Sequence, residues 1–313
     1  MLFRSRHGIF MLSLYFIMHS LEQSKPDART WRPNLLVLSG PPKKRWHLIE
    51  LADAIACKRG LLTVSTIVPE EVSEPERLSN LRDSLRSYMK DNKVRALINV
   101  HTAHDMLTGA QEMIRAHGFG SVAPNTIVIG ETEKRENFLE YAKLISLIHK
   151  QQRNLIIVRK GEIQVKPDTE LYMDILWRGK QKNAGLMLAL AYLIKMSGKW
   201  EKARLLLKTI ITEPSKQETV QKNLEEFIKG QRLGAEAAVI VGDANTDIFK
   251  IIEDNEHDAN LVFLGLRAPN EDESLEDYSR YYASILEKTQ NFPATLLVLA
   301  SQDIEFGRIF TSH

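Results

Sequence analysis

The chain has 313 residues, of which 43% are hydrophobic and 26% charged, with a formal net charge of +2 at pH 7. That length buries a sizeable core and has room for two domains, and the composition excludes a disordered or fibrous chain. Lys and Arg are scattered, densest at Lys43-Lys44-Arg45, which argues against a nucleic-acid binder; the single cysteine, Cys57, excludes an internal disulfide framework and a cysteine-rich zinc site and fits a reducing, cytosolic setting.

Residues 1–24 form an apolar N-terminal segment with its linker. Ile9–Met18 is apolar except for Ser13, with Arg4 and Arg6 ahead of it. As a helix this run spans about 15 Å, half of a bilayer core. A secretory signal is disfavoured, because His19–Gln23 offers no small-residue cleavage site. An amphipathic or swapped helix and the end of a membrane helix are both compatible with the run.

A strand–helix alternation follows the polar linker. Asn34–Leu38 reads as a buried strand ending at Ser39-Gly40-Pro41-Pro42. Trp46–Cys57 reads as a helix closed by Gly60, with Cys57 on its apolar side as a buried thiol. Leu61–Val68, Ala96–His101, Thr126–Ile129 and Asn154–Val158 are the next strands. Pro75–Lys90, Asp105–Ala116 and Glu136–Lys150 are the helices between them. Continuously apolar strands alternating with helices imply a parallel sheet covered on both faces. Arg159–Glu162 reads as a turn, and Leu171–Trp177 as an antiparallel addition at the sheet edge.

A second series begins at Leu186–Ile194, which is apolar all round. It is too short to span a membrane, so it is a helix buried in the core or in an interface. Ala203–Ile211, Glu236–Val241, Leu261–Leu264 and Thr295–Leu299 read as strands. Ser215 with Glu218 forms a capping box for a helix carrying Val220, Leu224, Phe227 and Ile228. Thr246–Asp254 and Leu275–Gln290 are the remaining helices. These boundaries give a first α/β lobe at 25–180 and a second at 181–313, each a mostly parallel sheet flanked by helices.

The stretch Gly118-Phe-Gly-Ser-Val-Ala-Pro-Asn-Thr126 resembles a glycine-rich phosphate loop, but its polarity is reversed. A phosphate loop follows a strand and opens a helix. Here a helix ends and a strand begins, so the joint presents carbonyls rather than amides.

In an open α/β sheet, ligands bind beyond the carboxyl ends of the strands. The first lobe offers Ser39, His101 with His104, Asp105 and Glu131 in that crevice; the second offers Asp243, Asn245, Asp247 and Gly265. His101 and His104 have no defined third metal ligand. Asp243–Asp247 begins like a calcium loop, but Ile248 stands where glycine is required, so Asp243 and Thr246 read as turn and capping residues. Acidic Asn270–Asp277 reads as a solvated loop before a helix. No nucleophile, base and oxyanion donor assemble, so neither catalytic nor metal or cofactor residues are assigned.

Trp31-Arg32-Pro33, Gly118 and Gly120 with Pro124-Asn125-Thr126, and Trp177, Gly179 and Asn183 with the following apolar helix stand out as motifs. Together they resemble the cytosolic C-terminal domain of cation-chloride cotransporters and related amino-acid permease-type transporters. Asn260–Leu266 and Phe292–Val298 fit the end of that domain, so the resemblance covers about residues 25–302 and is closest to prokaryotic members. It implies two consecutive lobes similar to the universal stress protein, with the signature residues structural. It also implies a homodimer beneath a transport domain of the same polypeptide, at the cytoplasmic face of the membrane, with a regulatory rather than catalytic role. The apolar N-terminus then becomes the end of the last membrane segment. Stress proteins that bind ATP carry a longer glycine pattern after a late strand. Gly130 and Gly265 are followed instead by Glu131–Lys134 and Leu266–Pro269, which leaves nucleotide or small-ligand binding as the alternative.

Overall fold

The computed structural model describes residues 2–23, 31–42, 44–72, 74–118, 120–132, 134–159, 170–177, 181–231, 234–243, 246–255 and 259–301. Helix α1 (Leu2–Gln23) comes first. Then β1 (Asn34–Leu38), α2 (Trp46–Ala56), β2 (Leu61–Pro69), α3 (Pro75–Asp91), β3 (Leu97–Ala103), α4 (Met106–Ala116), β4 (Thr126–Gly130), α5 (Phe138–Lys150) and β5 (Asn154–Arg159) alternate as the apolar pattern predicts. The second series is β6 (Tyr172–Leu176), α6 (Gln181–Lys195), β7 (Arg204–Ile211), α7 (Gln217–Gln231), β8 (Glu236–Val241), α8 (Ile248–Asn255), β9 (Leu261–Gly265), α9 (Leu275–Lys288) and β10 (Thr295–Leu299).

The strands form one sheet of ten, ordered β3-β2-β1-β4-β5-β10-β9-β6-β7-β8. Neighbours run parallel except at one seam. There β5 and β10 pair antiparallel, with Arg159 opposite Thr295 and Leu155 opposite Leu299. On either side of the seam the strand order is the same, so the second half repeats the first about an internal dyad. Each half places its first strand centrally and crosses over by a helix, as parallel pairing demands.

Strand alternation divides the core. Leu35 and Val37 of β1 face one helix layer, where α2 and α6 lie with Met89 of α3 and Leu224 of α7. Leu36 and Leu38 face the other, where α4, α5 and α9 lie with Phe249 of α8. Strands β4, β5 and β10 are buried at every position. Leu186 to Leu190 of α6 are buried too, so this helix is core, packed beside α2 across the dyad.

Three expectations are corrected. Leu171–Trp177 is no edge addition: β6 lies inside the sheet, parallel to β7 on one side and β9 on the other. Because β6 is the first strand of the second half, the border drawn at 180 falls one strand too late. Ser215 lies within a 3-10 turn (Pro214–Lys216) ahead of α7 and not at a capping box, and Glu218 bonds Lys222 one turn on. Of the turn at Arg159–Glu162, all but Arg159 lies outside the described residues.

Helix α1 stands apart. Ile9, Phe10, Met11, Leu12, Tyr15 and Phe16 are all at least 53% exposed. The helix touches the 3-10 turn Gly120–Val122, where Glu22 closes on Gly120. Among the described residues no helix is long and apolar enough to cross a membrane.

Candidate functional site

The antiparallel seam fixes where the two ligand edges lie. The carboxyl ends of the first-half strands point to one end of the molecule, and those of the second half to the opposite end, beside α1.

At the first-half edge the four crevice residues are each engaged locally. Ser39 is fully buried; its Oγ donates to the carbonyl of Gly40 at 3.1 Å. His101 Nε2 lies 2.7 Å from Glu112 Oε2 of α4. Asp105 caps α4, accepting from the amides of Leu107 at 2.8 Å and Thr108 at 2.9 Å and from the Thr108 hydroxyl at 2.6 Å. Those Thr108 bonds hold the Asp105 carboxyl below its ordinary value. Glu131 accepts from Arg159 Nε at 2.6 Å. The cavity between these strand ends is about 30 Å³, lined by Gly40, Arg45, Met106, Gly130 and Tyr141, and by none of the four. Tyr141 Oη donates to the Gly130 carbonyl at 2.9 Å, and a Cβ on Gly130 would lie 3.0 Å from Arg45 Nη1. The crevice is filled by the chain's own side chains.

The second-half edge is roomier. A pocket of about 260 Å³ is lined by Leu176, Trp177, Asn183, Gly265, Arg267 and Tyr281. Arg267 is fixed there: Nη1 lies 2.6 Å from Glu273 Oε2, and the guanidinium sits 4.2 Å above the Tyr281 ring. Bonding to Arg267 holds the Glu273 carboxyl below its ordinary range. Asn183 Nδ2 donates to the Leu266 carbonyl at 2.7 Å, and its Oδ1 accepts from Ala300 N at 2.9 Å. Trp177 stacks on Phe227 at 5.4 Å. Of the second-half residues that the sequence offered, Gly265 lines this pocket, whereas Trp177, Asn183 and Arg267 were not among the crevice candidates. The signal for this pocket is Gly265-Leu-Arg267 after a buried strand, with Asn183 opening an apolar helix.

The signature residues of the first half cluster at its opposite edge, where its strands begin, whereas Trp177 and Asn183 line the second-half pocket. Trp31 is buried, and its carbonyl accepts from Arg32 Nη1 at 2.8 Å. Pro33 packs against Gly60. Gly118 has φ +89°, a conformation that favours glycine, and lets the chain turn back between α4 and β4. Gly120 and buried Pro124 continue that turn. Asn125 then clamps two strands. Its Oδ1 accepts from Asn34 N at 3.0 Å and from the hydroxyl of Thr126 at 2.9 Å, while its Nδ2 donates to the Arg32 carbonyl at 2.7 Å. Asn34 reciprocates, donating to the carbonyls of Val122 and Ala123 at 2.6 and 3.0 Å. Gly179 lies outside the described residues.

The second half carries the same clamp, which sequence reasoning missed. Tyr172 N donates to Asn260 Oδ1 at 2.8 Å, and Asn260 N to the Tyr172 carbonyl at 2.9 Å. The signal was available: Asn125-Thr-Ile-Val-Ile-Gly130 and Asn260-Leu-Val-Phe-Leu-Gly265 are one pattern written twice.

Asp243 does form a turn, its carbonyl accepting from Thr246 N, but the residue that caps α8 is Asp247, which accepts from Phe249 N at 2.9 Å. Ser274 caps α9 by accepting from Asp277 N at 3.1 Å. Among the described residues no three His, Cys, Asp or Glu side chains are grouped to hold a metal.

Comparison with known proteins bears on this arrangement. The model of solute carrier family 12 matches residues 45–163, from just before α2 to just past β5. The cytoplasmic domain of a prokaryotic cation chloride cotransporter shares the fold with a TM-score of 0.58 and 14% identity, over 88% of this chain and 99% of that one. A universal stress protein from Archaeoglobus fulgidus gives 0.56 at 13% identity, covering 88% of this chain and 98% of its own. A functionally unknown protein from Pseudomonas aeruginosa gives 0.54 at 13%, covering 90% and 98%. The stress-protein-like fold and the resemblance to cotransporter cytosolic domains are borne out.

Proposed function

We propose that this chain, of the cation-chloride cotransporter cytosolic type, is a non-catalytic regulatory and dimerisation module. In that role it serves a membrane transport domain of the same polypeptide at the cytoplasmic face. The observation that carries the reading is the family match across α2–β5 in a half whose ligand crevice is closed by Arg45, Met106 and Tyr141. What that half keeps is a set of structural bonds at the strand beginnings, from Trp31 to Thr126, rather than a reaction centre. Regulation then means that the module stabilises two states of the transport domain differently.

The test is where the chain resides and in what company. An antibody against this chain should find it in the integral membrane fraction of its source cells, at a mass well above 35.8 kDa. The purified chain should sediment as a dimer. Recovery in the soluble fraction at 35.8 kDa overturns the transporter reading; a monomer at high concentration overturns the dimer.

A second reading has its own observation, the pocket of about 260 Å³ beside Trp177, Asn183 and Arg267. A small ligand there would make the chain a sensor. Saturable heat on calorimetric titration with ATP, abolished by Arg267→Ala, would favour it.

A further inference from the structure

We infer that the amino-terminal edge of the first half-sheet is a cationic platform that docks on anionic lipid headgroups. The inference rests on the transporter reading and assigns that reading a contact surface.

The fold gathers charges that the sequence scatters. Each helix-to-strand connection of the first half arrives at this one edge, because parallel strands begin together. Lys58 and Arg59 follow α2, Lys93 and Arg95 precede β3, Arg115 ends α4 and Lys150 ends α5. Lys58, Arg59, Lys93 and Arg95 stand outside the helices, Arg115 and Lys150 in a final turn, and all six are exposed. None forms an ion pair among the described residues. The carboxylates close to this edge include Asp91, exposed at the end of α3, Asp53, a turn back on α2, on which Lys58 acts, and Glu22 of α1, which closes on Gly120. The carboxyl edge of the same half mixes its charges, with Glu70, Glu71, Glu74, Asp105, Glu131 and Glu136 beside Lys44, Arg45, Lys134 and Arg135. Basic residues favour helix carboxyl ends, where the dipole is negative, which explains their presence singly. It does not explain Lys58, Arg59, Lys93 and Arg95 converging from two connections without an ion pair among the described residues.

Helix α1 decides which polyanion fits. It contacts the domain at Gly120–Val122, in the α4–β4 connection of this same edge. Ile9, Phe10, Met11 and Leu12 are consecutive, so their exposed side chains face every direction around the helix. A partner laid against one side would leave the rest wet; an apolar medium covers all of it. An apolar helix and a cationic platform at one end match a leaflet with hydrocarbon above and anionic headgroups at its surface. The second half brings Glu271 and Glu273 into one cavity with Arg115 and Lys150, so headgroup contact belongs to Lys58, Arg59, Lys93 and Arg95.

The test is co-sedimentation of the full chain with vesicles of phosphatidylcholine, alone or mixed with phosphatidylglycerol. The mixed vesicles should bind at least about tenfold more tightly, with the difference collapsing in about 0.5 M salt. Lys58→Glu/Arg59→Glu/Lys93→Glu/Arg95→Glu should remove the difference while thermal unfolding stays unchanged. Phe10→Ser/Phe16→Ser should weaken binding to both vesicles and keep the ratio. Equal wild-type binding to the two vesicles overturns the inference, whether or not the charge variant folds. So does a preference for duplex DNA over the mixed vesicles. Either result leaves the membrane-fraction test untouched, so the two ideas fail separately.

Discussion

At Asn125 one carboxamide accepts the backbone N–H of Asn34, donates to the carbonyl of Arg32 and receives the Thr126 hydroxyl. Its counterpart Asn260 makes one such bond, to Tyr172 N. A hydrogen bond contributes about 1 kcal/mol net, and more when its loss strands a partner, so Asn125→Ala should cost about 2–3 kcal/mol and Asn260→Ala about 1 kcal/mol. Urea unfolding measures both, and equal losses would contradict the bond count. Asp105 offers a pH test. Its carboxyl is held below the ordinary 3.8, so its stabilisation is complete above that value and disappears as pH falls through the lower, folded value. Asp105→Ala should cost about 1 kcal/mol at pH 7, and its stability curve should converge with wild type once the pH falls below the folded-state value. At this scale the motifs were legible in the sequence, but their partners were not. Asn34 and Asn125 lie 91 residues apart, and nothing local says that they meet.

Helix α4 shows why an element keeps an awkward residue. Gly109 sits in its middle, and a Cβ there would lie 2.7 Å from Ile67 Cγ2 and 2.8 Å from Ala103 Cβ. In an open helix Gly→Ala gains about 1 kcal/mol. Here the contact is shorter than side chains tolerate, so Gly109→Ala should instead lose about 1–2 kcal/mol, read by thermal or urea unfolding. A gain would show that α4 can lift off β2 and β3. Most elements were legible because their apolar spacing is local. The starts of α7 and α8 and the place of β6 were not. The first two depend on which side chain reaches which amide, and the last on strand neighbours distant in sequence. Likewise, the second-half pocket is roomier than the first because of what fills each, which strand patterns do not encode.

Across the whole molecule the halves are joined by more than the β5–β10 ladder. Arg159 leaves β5, meets Glu131 at 2.6 Å, and donates to the Thr289 hydroxyl and, at 3.0 Å, to the Leu286 carbonyl of α9. Tyr141 of α5 and Tyr282 of α9 stack at 5.9 Å beside it. Side-chain exposure is 6% for Arg159 and 16% for Glu131, so removing one partner strands a charge with little water to screen it. Arg159→Ala should cost about 3 kcal/mol, and Arg159→Met with Glu131→Leu should recover most of it, because well-packed apolar side chains often replace a buried pair. Calorimetry checks this, and it should show one transition, since each half depends on the seam. Losing the pair without recovery in the double variant would mean that the bonds to α9, not the ion pair, hold the seam. The repeat of two halves was legible as two series of strands. Their fusion into one sheet was not, because it rests on a pairing between the last strand of each.

The placement of β1 has a mechanical consequence. It lies between β2 and β4, parallel to both and bonded along its whole length. Tension delivered through α1 therefore loads both ladders in shear at once rather than peeling one bond at a time.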